Sequence, residues 1–159
     1  MTGPSPFTAL EETFRLLGAE PHPLTIDGRR LGRGLPCRQI PILELRWILT
    51  RPSAASDLQG QVIEAVLGGM RQQPATWVVV LGGLLLPALR CLAQQIAVSR
   101  DAGLAIDVEA ELLSRLLTAT RRPPCDTHRF AMHLLQLAQT SRAADHAPIP
   151  TPRSAAHRR

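Results

Sequence analysis

The chain has 159 residues, 45% of them apolar and 19% charged, which excludes an intrinsically disordered polymer and is long enough for one domain with a real core. All 18 basic residues are Arg against 13 acids, giving a formal charge of +5 and a pI near 10.8, a balance that permits an acidic or nucleic-acid partner without requiring one. Cys37, Cys91 and Cys125 are odd in number and far apart, which excludes a disulfide framework and a zinc ribbon.

Met1 to Pro6 has neither a basic start nor an apolar run, so the expectation is a reducing, cytoplasmic compartment. A first helix is predicted from Ala9 to about Leu17, with Thr8 and Glu11 in capping-box spacing and Gly18 closing it. Leu10, Phe14 and Leu17 form a small apolar face, as in an outlying element. Residues 21–41 carry four prolines and three glycines, which helix does not survive. Within them Asp27-Gly28 reads as the turn of a short hairpin over Leu24 to Leu31. Arg29, Arg30, Arg33 and Arg38 cluster there; they have the composition of a phosphate-binding arm and equally of a solvated loop.

Pro41 suits the first turn of a second helix, Ile42 to Leu49, with Trp47 at the margin of its inner face. A third helix follows, capped by Ser53 or Ser56 and running to about Arg71; Ser56 and Gln59 have capping-box spacing. Trp77 to Leu89 is a run of thirteen residues without a charge, shorter than the roughly 20 that span a bilayer, and is predicted to be the buried central helix around which the rest packs. Its Gly82-Gly83 pair allows close helix approach, and Pro87 predicts a kink or division near Leu86. Ser99 to Ala105 reads as a loop. Asp107 then caps a fifth helix, Val108 to Ala119, with Leu112, Leu113, Leu116 and Leu117 turned inward. After Pro123-Pro124 a sixth helix starts beyond Asp126 or Thr127 and reaches about Arg142, with Phe130, Leu134, Leu137 and Ala138 inward.

The expected fold is therefore all-α, an orthogonal bundle of about six helices. Residues 1–41 form a helix and a Pro/Gly/Arg-rich, loop-rich N-terminal third, 42–142 the bundle domain, and 143–159 a basic, Pro-rich disordered tail.

No catalytic constellation presents itself. The glycine pairs match neither a P-loop nor a dinucleotide fingerprint, and Lys is absent. Cys125, His128 and His133 lack a fourth ligand, and the two histidines, five apart, do not share a helical face. Asp107 and Glu111 do share one; at a helix N-terminus they read as dipole partners or as a docking surface before an acid-base pair. No enzyme activity, metal or cofactor is expected.

The segments Leu86-Pro87-Ala88-Leu89-Arg90-Cys91-Leu92-Ala93, Asp107 to Leu117 and Arg129-Phe130-Ala131-Met132-His133-Leu134 resemble, over about residues 84–142, the core-binding and promoter-melting domain of bacterial sigma factors of the extracytoplasmic-function type. The chain as a whole is also similar to short, Arg-rich proteins of high-GC actinobacteria, a likeness that implies no activity. The sigma resemblance implies a transcription-associated protein whose partner is the RNA polymerase core, contacted by Asp107, Glu111 and Arg115. It adds Arg129 and Phe130 to Arg29, Arg30 and Arg33 as candidates for weak DNA contact. His133, Leu135, Gln136 and Gln139 stand where that family usually has aromatic or basic residues, and base stacking and phosphate neutralisation both need such groups. The alternative is a structural adaptor bundle that binds another protein or itself, through Trp47 and the Gly82-Gly83 surface, with no role at the polymerase. Neither reading involves a membrane.

Overall fold

The computed structural model describes residues 4–51, 53–98 and 105–145, the last five by backbone alone. It is all-α and 74% helical, with six helices packed orthogonally. In chain order these are α1 (Pro6–Leu17), α2 (Ile42–Leu49), α3 (Ser56–Met70), α4 (Pro74–Val98), α5 (Ala105–Thr120) and α6 (Pro124–Asp145). Between α1 and α2 lies a small antiparallel ribbon of β1 (Thr25–Asp27) and β2 (Gln39–Pro41), with Ile26 opposite Ile40.

The uncharged run lies inside α4, a single 25-residue helix that continues through Pro87 without division. Its length and composition alone would let it cross a bilayer, so the count of thirteen uncharged residues does not decide the matter. Burial does: all five other helices pack on α4, and Val80 to Leu86, Ala88 and Leu89 are enclosed. That enclosure offsets the propensity cost of two glycines and an interior proline, roughly 5 kcal/mol together. The glycines face α1. A Cβ on Gly83 would overlap the Phe14 ring, and one on Gly82 would sit 3.1 Å from Leu10.

Several expectations are corrected. Helix α1 begins three residues early because Ser5 accepts from the Thr8 N–H and Pro6 needs no N–H partner; the Thr8 and Glu11 box does not form. It is also no outlier, since Phe14 is fully buried. Asp27-Gly28 is not a hairpin turn: β1 pairs with β2 across eleven intervening residues, and Gly28–Arg30 form a 3₁₀ turn. Helix α2 spans Ile42–Leu49 as expected, with Pro41 as its N-cap. Helix α3 is capped by Ala55 without a side-chain bond. Gln59 turns inward instead, its Nε2 donating to the Leu49 carbonyl at 3.4 Å.

Pro74 opens α4 instead of breaking the chain before it, and Ala105 and Pro124 open α5 and α6, positions where a missing or unpaired N–H costs nothing. Leu117 and Leu137 are exposed, and Leu135 is buried in place of Leu137. Residues 143–145 continue α6. The predicted loop at 99–104 and the tail at 146–159 lie outside the described residues.

Candidate functional site

Asp107 and Glu111, one helical turn apart near the start of α5, and Arg115, one turn further, are exposed on a single face. The positive end of the α5 dipole favours the two carboxylates there. Beneath them Val108 and Leu112 are buried, and α4 contributes half-buried Leu92 and Ile96. These seven residues line one groove of about 630 Å³, with an apolar floor and a charged rim. Arg115 Nε lies 2.7 Å from Glu111 Oε1, both side chains more than half exposed. Such a pair contributes at most about 0.5 kcal/mol, so either partner is readily drawn into a better contact.

The residues expected to contact nucleic acid do not converge on one site. Arg29 is tied to its own loop, its Nε donating to the Cys37 carbonyl at 3.1 Å and its backbone N–H to Asp27. Arg30 stands 3.9 Å from Asp27 and lines a cleft between the ribbon and α3, beside Trp77. Arg33 is exposed. Arg129 is exposed on α6 and lines a roomier groove of about 710 Å³ with Arg71, Cys125 and His128. Phe130 is half-buried and packed against the core, so its ring is committed to packing rather than offered to a base. His128 Nε2 lies 3.2 Å from the Gly60 carbonyl, and His133 is exposed. Among the described residues no three His, Cys, Asp or Glu side chains are grouped to hold a metal.

Sequence reasoning missed a charge cluster. Glu11 receives two bonds from Arg46, Nη2 to Oε1 at 2.8 Å and Nη1 to Oε2 at 3.0 Å. Arg15 Nε at 3.1 Å and Arg90 Nη1 at 3.5 Å complete it. Arg46 also lies over the Phe14 ring, 4.7 Å from its centroid. The Arg46 hydrogen bonds hold the Glu11 carboxyl below its ordinary pKa, against the opposing effect of burial, with the Arg15 bond and the nearby Arg46 and Arg90 charges adding to the lowering. The cluster fastens α1 to α2 and α4. Only the Glu11–Arg15 pair is local, at i and i+4; Arg46 and Arg90 come from two other helices, and no local spacing announced them.

The groove can bind and orient another surface; its described residues present no nucleophile with an adjacent base. No protein-family model, curated protein or solved structure matches the chain.

Proposed function

We propose that the protein is a non-catalytic, cytoplasmic, transcription-associated module that acts by protein contact, with the α4–α5 groove as its docking surface and the RNA polymerase core as its partner. One observation carries the docking surface: Asp107, Glu111 and Arg115 share the rim of a groove whose floor is Leu92, Ile96, Val108 and Leu112. An apolar floor supplies binding energy and a charged rim supplies orientation and selectivity. The identity of the partner rests on the sigma resemblance alone. Arg29, Arg30 and Arg33 add weak, sequence-independent phosphate contact.

A second reading, an adaptor with no polymerase role, is favoured by Trp47, 59% exposed with Arg51 stacked 3.6 Å from its ring, since exposed Trp and Arg are common anchors of protein interfaces.

Binding to purified bacterial core RNA polymerase tests the first reading. The parent protein is expected to bind, and the double change Asp107→Arg, Glu111→Arg to weaken binding roughly tenfold or more while the helical circular-dichroism signal is kept. If the parent does not bind the core enzyme, or the double variant binds as well as the parent, the polymerase reading falls.

A further inference from the structure

Arginines from three helices converge on one carboxylate. Arg15 of α1, Arg46 of α2 and Arg90 of α4 place nitrogens 3.1, 2.8 and 3.5 Å from the oxygens of Glu11. Arg46 alone satisfies that carboxylate, since its fork donates one N–H to each oxygen. Arg15 and Arg90 therefore bring positive charge that Glu11 does not neutralise. Within the described residues the three guanidinium groups make only three hydrogen bonds, two from Arg46 and one from Arg15. A guanidinium carries several further N–H donors and no acceptor, so the three groups cannot satisfy one another. The Arg15 and Arg90 side chains are 70% and 48% exposed, which leaves both accessible to a ligand.

These residues line a pocket of about 380 Å³. Its wall adds Thr8, whose hydroxyl lies 3.2 Å from Ser5 Oγ and can accept there while keeping its own O–H to donate. Glu12 also belongs to the wall; it is exposed and forms no ion pair among the described residues. The lining thus sets three positive charges against the two of Glu11 and Glu12.

We infer that this pocket binds a phosphate group, free or as a monoester, held by Arg15, Arg90 and the Thr8 hydroxyl while Arg46 stays on Glu11. Planar guanidinium forks match the oxygens of a phosphate bidentately. A dianion is preferred to a carboxylate because it interacts with twice the charge at each guanidinium. Glu11 and Glu12 oppose any anion and keep the affinity modest, with a dissociation constant on the order of 1 mM. None of the lining residues belongs to the α4–α5 groove, so the site stands apart from the proposed docking surface.

Thermal melts of the full chain at constant ionic strength, with chloride exchanged for the test anion, provide the test. Inorganic phosphate is expected to raise Tm along a saturating curve, half complete near 1 mM and reaching about 3–6 °C at about 20 mM. Glycerol phosphate is the second probe: whichever of the two saturates at the lower concentration identifies the free or the esterified form as the better ligand. Acetate at the same ionic strength is expected to give less than about a third of the rise. Arg15→Gln and Arg90→Gln, at accessible positions, are each expected to weaken phosphate binding about fivefold, and the double variant to remove the saturating rise. Arg122→Gln, an exposed arginine outside the pocket, is expected to leave it unchanged. Circular dichroism checks that each variant keeps its helical content. The inference is overturned if neither phosphate probe gives a saturating rise, if acetate matches them, if the double variant retains the rise, or if Arg122→Gln loses as much as the pocket variants.

Discussion

At Gly83 a single hydrogen atom decides how closely two helices approach. The Phe14 ring occupies the space a Cβ would need, and Phe14 is fully buried, so it has nowhere to retreat. Gly83→Ala is expected to destabilise the protein by roughly 2–3 kcal/mol even after the ~1 kcal/mol gain in helix propensity. In a thermal melt that is a fall of about 5–10 °C. Gly68 gives the opposite sign. It lies on an exposed turn of α3, where a Cβ would meet nothing within 4 Å, so Gly68→Ala is expected to stabilise by about 0.5–1 kcal/mol in the same measurement. Sequence marked both positions only as members of glycine pairs. The neighbour across the interface gives them different meanings.

Helix α1 shows what decides an element's place. Its apolar face is narrow, yet it is fastened at its start and at its middle: the Phe7 N–H donates to Glu109 Oε2 of α5 at 3.2 Å, and Glu11 is gripped by Arg46 and Arg90. Both members of the Glu11–Arg46 pair are less than a fifth exposed, so removing the carboxylate strands a partly desolvated guanidinium. Glu11→Gln is expected to cost about 1–3 kcal/mol in denaturant unfolding at neutral pH. The folded pKa of Glu11 is lowered from 4.5. Its contribution is therefore fully present above the unfolded value and disappears as pH falls through the lower folded one. The stability gap between parent and Glu11→Gln should close in strong acid; a gap unchanged between neutral pH and about pH 3 would show that the ionised carboxylate is not what holds α1.

On the scale of the whole molecule, α4 is the axis and the charge is on the outside. Every other helix packs on α4, which makes the fold one cooperative unit rather than a helix pair with appendages. Among the described residues the basic side chains are spread over several surfaces: Arg29, Arg30 and Arg33 at the ribbon, Arg71 and Arg129 around the α3–α6 groove, Arg46 and Arg90 at Glu11. A dispersed basic surface neutralises few phosphates at once. Binding to a DNA oligonucleotide is expected to be weak, with a log–log salt slope of about −2 to −4. A slope near zero would remove phosphate contact from the proposed function, and one near −8 would require a concentrated site that the described residues do not provide.

The sequence by itself determined the helical class, the number of helices, the central place of the Trp77–Leu89 run and the face that carries Asp107, Glu111 and Arg115. These follow from apolar periodicity and from backbone rules for Gly and Pro, which act over a turn or two of chain. It misplaced helix starts at Pro6, Pro74 and Pro124 because a proline ends one helix and opens the next by the same lack of an N–H. Only the tertiary structure decided that Glu11 is an ion-pair hub and not a cap. It likewise set Leu92 and Ile96 beneath the α5 acids, and left Leu117 exposed while Leu112 and Leu116 are buried. Those outcomes depend on which helices become neighbours, and that is settled by burial summed over the whole chain.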